Sequence, residues 1–206
     1  MTSAPSLMTV WPTPLMSRDR ADGSALDPTD EQLAIRARDG EKLAFNQLMQ
    51  RHAPRLVQFL ERQVGGRADA EDVAQNTFIA IHRNLARFDA DKSFVTWMFF
   101  IARNKAKDHH RRRAVLNWVG FEDRTEIMPS EDPDPETAVG DKADLARADA
   151  LIRALPEGLR TPLLLSVLEG LSLAEIGAAM GISEKAAEVR VYRARKKLKD
   201  DFYCEG

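Results

Sequence analysis

The chain has 206 residues, 44% hydrophobic and 30% charged, a composition that supplies enough apolar side chains for one or two cores. A net charge of −2 excludes a uniformly basic coat, so any nucleic-acid surface must come from local patches. One cysteine, Cys204, excludes an internal disulfide and a cysteine-based zinc site, and no apolar run approaches bilayer length. With no basic-then-apolar signal pattern around Pro5, Pro12 and Pro14, the expectation is a cytoplasmic protein without membrane insertion.

Residues 1–27 mix Pro, Ser, Thr and Met without helical or strand period and read as a disordered leader, with Trp11 its one large apolar residue. From Pro28 the period becomes helical. Leu33 and Ala37, then Phe45, Leu48 and Met49, then Leu56, Leu60 and Val64 predict three successive helices, stopped at Gly65-Gly66. A fourth helix after Asp69 carries Ala74, Phe78, Ile81 and Leu85 on one stripe and leaves Asp72, Gln75, Asn76 and Arg83 opposite. A fifth, from about Ser93 to Arg113, begins with the core residues Phe94, Trp97, Met98 and Ile101. Its second half sets Arg103, Lys105, Lys107, Arg111, Arg112 and Arg113 against Asp108 alone, so one helix joins a core to a cationic surface.

Between Glu122 and Asp144 nine acidic residues face only Arg124 and Lys142, with Pro129, Pro133 and Pro135 among them. Such a stretch repels itself and predicts an extended linker over 119–143. A second helical unit, 144–206, starts with Leu145, Ala148, Ile152 and Leu155, breaks at Pro156, and resumes with the apolar run from Leu159 to Leu168, with Pro162 expected near a first turn. Ser172-Leu-Ala-Glu175 is a capping box, Gly181 supplies a tight turn, and Ser183 can cap a second helix running to about Lys199. That is a helix-turn-helix. In its second helix Ala187, Val191, Ala194 and Leu198 point inward, which leaves Lys185, Arg190, Arg193, Lys196 and Lys197 to reach phosphates and base edges in a major groove.

The expected fold is therefore all-α: two small helical domains, residues 28–118 and 144–206, joined by the acidic linker. Taken together, the chain from about Asp30 to Leu198 resembles the small two-domain extracytoplasmic-function (ECF) sigma factors of bacterial RNA polymerase, of the sigma-70 family. The run DAEDVAQNTF from Asp69 to Phe78 resembles the helix those proteins set on the clamp of the largest polymerase subunit. SFVTW from Ser93, with Ile101-Ala-Arg-Asn104 and Asp108-His-His-Arg-Arg-Arg113, resembles their minus-ten reading and melting segment. Leu171-Ser-Leu-Ala-Glu-Ile176 with Val191-Tyr-Arg-Ala-Arg195 resembles their minus-thirty-five reading helix-turn-helix.

The resemblance implies a protein that binds core RNA polymerase at clamp and flap, directs promoter-specific initiation in a stress or envelope response, and is held by an anti-sigma factor. It places Asp69, Asp72, Gln75, Asn76 and Phe78 on the polymerase. Phe88, Asn104, Lys105, Lys107, Asp108, Arg111 and Arg112 fall at the minus-ten element, and Ser183, Lys185, Glu188, Arg190, Tyr192, Arg193 and Lys196 at the minus-thirty-five element. Glu188 departs from the family pattern, since a carboxylate repels phosphate or accepts from cytosine, so the minus-thirty-five sequence is not transferable from relatives. In the family the linker threads polymerase channels, where an acidic chain can mimic nucleic acid.

Catalysis, metal and cofactor are not expected. His109 and His110 are adjacent and point to different sides of a helix, and no paired-carboxylate or i, i+4 histidine motif accompanies them. The competing functional readings are a conventional dimeric helix-turn-helix regulator and a sigma-like decoy for an inhibitor.

Overall fold

A computed structural model describes residues 27–119 and 141–204. Apart from their ends, the expected leader and acidic linker lie outside the described residues. The described chain is helical, with no strand: α1 (Asp30–Arg38), α2 (Lys42–Val64), α3 (Arg67–Asn84), α4 (Phe94–Val119), α5 (Asp141–Ala154), α6 (Glu157–Val167), α7 (Leu173–Met180) and α8 (Glu184–Cys204).

Helix α1 opens with a capping box: Gln32 N donates to Thr29 Oγ1 at 3.2 Å and Thr29 N donates to Gln32 Oε1 at 3.0 Å. Asp30 then ties α1 to α2 through His52 at 2.8 Å and Arg51 at 2.6 Å. Burial alone would raise the Asp30 pKa, but His52 and Arg51 outweigh it and hold the carboxyl below its ordinary range.

The two helices expected between Phe45 and Val64 are one, because α2 runs unbroken through Pro54. A proline inside a helix costs about 3 kcal/mol, and burying one Leu or Phe returns ~1.5–3 kcal/mol. The stripe Leu48, Leu56, Phe59 and Leu60, all fully buried, outweighs the break. Gly65 at φ 88° supplies the left-handed cap that ends the helix. Helix α4 runs two turns beyond the expected Arg113, and Pro162 lies in the second turn of α6 rather than the first. Phe59 of α2 meets Phe99 of α4 edge to face at 5.0 Å in the centre of the first unit.

The two units pack on one another. Their apolar residues form one continuous cluster that runs from Leu48, Phe59 and Phe99 to Leu164, Ile176 and Met180, with α7 lying on α4 and α6 on α2. A polar seam borders it. Gln63 Nε2 donates to Thr161 Oγ1 at 3.1 Å, both side chains buried, and the Gln63 carbonyl accepts from Arg160 at 3.2 Å and lies 2.9 Å from His110 Nε2. Arg62 pairs with Asp149 at 2.9 Å, Arg55 Nε with Glu169 at 2.6 Å, and Arg103 donates to the Met180 carbonyl at 3.1 Å. Burial pushes the Glu169 pKa up despite Arg55, and burial lowers that of Arg160.

Candidate polymerase and nucleic-acid interfaces

Helix α3 presents the first surface. Val73, Ala74, Thr77 and Phe78 are buried against α2 and α4, which turns Asp72, Gln75 and Asn76 to solvent. Phe78, expected at the polymerase, is therefore a core residue that orients this face. Ile79 is exposed and adds an apolar side chain to the same face, which the resemblance did not single out. Asp69, in the first turn, accepts from Arg113 Nη1 at 3.0 Å and sits 3.5 Å from His109, so it fastens α3 to α4.

The cationic half of α4 presents the second surface. Lys107, Arg111 and Arg112 are exposed, while Asn104, Lys105 and Asp108 are half-buried. Asp72 and Asn76 of α3 join Lys105, Asp108, His109 and Arg112 around one polar pocket of about 210 Å³, so the polymerase and minus-ten expectations meet at a shared edge. Arg111 donates to Asp108 at 3.0 Å, and Lys107 lies 3.6 Å from Glu157 of the second unit.

Phe88 does not stand beside these residues. A 3₁₀ turn, Leu85–Arg87, folds it inward, where it packs on Phe94 at 5.8 Å and on Trp97 at 5.1 Å with its side chain buried. Trp97 has the packing role its spacing predicted. The loop that follows is held at its base, because Asp89 Oδ1 accepts the Asp91 amide at 3.2 Å and Asp89 Oδ2 pairs with Lys92 at 3.2 Å. Those partners lower the Asp89 pKa, the backbone amide first.

The third surface is the helix-turn-helix. Glu175 N donates to Ser172 Oγ at 3.3 Å and Ser172 N to Glu175 Oε2 at 2.9 Å, as the capping box predicted. Gly181 at φ 67° makes the turn, and Ala186 N donates to Ser183 Oγ at 3.2 Å to start α8. Gly177 allows the close approach: a Cβ there would sit 2.9 Å from the Ile182 carbonyl oxygen and 3.3 Å from the Glu184 nitrogen. Ala187, Val191 and Ala194 are buried, so Lys185, Glu188, Tyr192, Arg193 and Lys196 face outward with Arg190 half-buried. Glu188 binds Lys185 at 2.7 Å and so cancels the nearest cation rather than standing free.

These surfaces define the class: a two-part helical protein carrying one cationic helix in each part, the second within a helix-turn-helix. Comparison with known proteins narrows it. Residues 48–115 match the family model for Sigma-70 region 2, and residues 145–198 match that for Sigma-70, region 4. The chain is 39% identical over 175 residues to the RNA polymerase sigma factor NccH of Alcaligenes xylosoxydans xylosoxydans, covering 84% of this chain and 94% of that one. It is 35% identical to the ECF RNA polymerase sigma factor SigF of Caulobacter vibrioides, covering 81% and 89% respectively. Among solved structures, CnrH in complex with the cytosolic domain of CnrY superposes with a TM-score of 0.65 at 32% identity, over 86% of this chain and 99% of that one. CnrH is an RNA polymerase sigma factor of Cupriavidus metallidurans. The chain belongs to the sigma-70 family and is an ECF RNA polymerase sigma factor.

Proposed function

We propose that α3 docks on the clamp of core RNA polymerase through Asp72, Gln75, Asn76 and Ile79, that α4 holds the melted minus-ten element, and that α8 reads the minus-thirty-five element. The observation that carries this reading is the pair of outward cationic helices, one in each unit, with the polar α3 face adjoining the first. Lys107, Arg111 and Arg112 neutralise phosphates, and captured unpaired bases rather than ATP drive strand separation. No residue is assigned a catalytic role.

An apolar groove of about 730 Å³ between α5, α6 and α8 supplies the remaining contact. Leu145 and Val167 on its rim are exposed, and an amphipathic helix from a partner fits such a groove. We assign it to the polymerase flap, and we assign the off state to an anti-sigma protein, by analogy with CnrH bound to the cytosolic domain of CnrY.

The packed arrangement is an off geometry for DNA. α4 packs on α7 and α7 on α8, so at ~8–10 Å per helix pair the two reading helices lie within about 20 Å of each other. Promoter elements ten and thirty-five base pairs upstream lie about 85 Å apart at ~3.4 Å per base pair. The two units must separate to engage both, and the chain from Val119 to Asp141 can extend to ~75 Å.

Permanganate footprinting on promoter fragments tests the reading. Thymines of the minus-ten element are expected to become reactive only when core polymerase and this chain are both present. Duplex protection by the chain alone, with no thymine reactivity in the presence of core, contradicts it in favour of a conventional regulator.

A further inference from the structure

Helix α8 carries an aliphatic side chain in the middle of its cationic face. Val189 is 37% exposed. The buried residues Ala187, Val191 and Ala194 fix the inward direction of the helix, and at ~100° per residue Val189 lies within about 20° of the opposite direction. Lys185 stands one turn before it and Lys196 two turns after it on the same side. Valine is β-branched and among the weaker helix formers, so a face that meets water alone gives no reason for it at this position.

In a helix-turn-helix the start of the second helix meets the base edges, and Val189 lies in the second turn of α8, which Ser183 caps. The edges that line a major groove are hydrogen-bond donors and acceptors, which a valine cannot satisfy, with one exception: the C5 methyl of thymine. The neighbouring charges do not compete for that contact. Lys185 and Glu188 are bound to each other at 2.7 Å and cancel locally, while Arg193 and Lys196 are long enough to reach phosphates at the edge of the groove. We infer that Val189 is a specificity-determining residue of this sigma factor, packing on the C5 methyl of a thymine in the minus-thirty-five element and selecting one orientation of an A·T pair there. The inference rests on the assignment of α8 to the minus-thirty-five element above.

The test uses holoenzyme, the full chain with core RNA polymerase, on a promoter recovered by run-off transcription. Each thymine of the minus-thirty-five segment, on either strand, is replaced in turn by deoxyuridine, which keeps the base pair and removes the methyl group, and promoter affinity is measured by gel shift. Wild type is expected to lose roughly three- to tenfold in affinity at one thymine. Val189→Ala is expected to lose a similar factor on the unsubstituted promoter and less than about twofold more at that thymine, the coupling that a direct contact requires. Because Val189 is exposed and alanine is the stronger helix former, Val189→Ala melts no lower than wild type, so lost affinity reports contact rather than fold.

A minus-thirty-five element with no preferred A·T pair, no thymine that responds to deoxyuridine, or equal responses in wild type and Val189→Ala each overturn the methyl contact. Coupling of the responsive thymine to Tyr192→Ala in place of Val189→Ala overturns it in favour of the aromatic ring one turn further on. If the Arg193→Ala/Lys196→Ala double variant loses promoter affinity while Val189→Ala does not, the promoter reading stands and this inference fails. If none of these variants changes binding, both fail.

Discussion

The buried pair Gln63 and Thr161 tests whether the two units pack in solution as described. Their side chains meet at 3.1 Å across 98 residues of sequence, and both are inaccessible to water. Replacing Gln63 with Leu leaves the Thr161 hydroxyl buried without its partner, and replacing Thr161 with Val leaves the Gln63 amide in the same position. Each single change costs about 1–3 kcal/mol, since an abandoned buried polar group bears its full desolvation penalty. Making both changes removes both polar groups together, so the double variant recovers most of that penalty and the coupling is ~1–2 kcal/mol. Urea unfolding of wild type, both single variants and the double variant, followed by circular dichroism, measures the cycle. Single-variant losses that add to within about 0.5 kcal/mol would refute the contact between α2 and α6.

Three further predictions follow from individual geometries. Gly177→Ala drives a Cβ to 2.9 Å from the Ile182 carbonyl, so the folded state is destabilised by ~1–3 kcal/mol and duplex affinity falls as the α7–α8 turn opens; wild-type stability and binding would contradict this. The Lys107→Ala/Arg111→Ala variant reduces the slope of log affinity against log salt by about 1.4 on single-stranded DNA, at ~0.7 per lost phosphate contact, and an unchanged slope shows that neither residue meets a phosphate.

The two perturbed carboxylates have opposite pH signatures. The Asp30 pKa is lowered, so its stabilisation is present above the unfolded value near 3.8 and is lost as pH falls through the folded value, and Asp30→Asn narrows that acid loss. The Glu169 pKa is raised, so its contribution is present below the unfolded value near 4.5 and is lost as pH rises through the folded value. Melting curves of Glu169→Gln against wild type across that window check the sign.

Local signals were legible where they are complete in a few adjacent residues. Ser172, Glu175, Gly181 and Ser183 specify their helix ends by chemistry that acts over three or four positions, and the structure has those ends. The apolar periods of α3 and α8 separated inward from outward faces for the same reason. The division expected between Met49 and Leu56 is absent because one buried stripe runs the length of α2, and burial along a whole helix is not visible locally.

Phe88 was placed at a surface by motif resemblance, but an aromatic ring is buried whenever a tertiary pocket receives it; Phe78, assigned to the polymerase by the same resemblance, is buried on the stripe its period predicts. The seam joining Gln63 to Thr161 and Arg55 to Glu169 was not legible, because its partners are about a hundred residues apart and no periodicity links them.

Run-off transcription with purified core RNA polymerase on a library of upstream genomic fragments decides whether this chain directs initiation. Transcripts are expected to start at discrete sites only when the chain is added, and to be lost when Asp72, Gln75 and Ile79 are replaced together by alanine. Stable binding to core without any new start site, or start sites that persist in that triple variant, would contradict it.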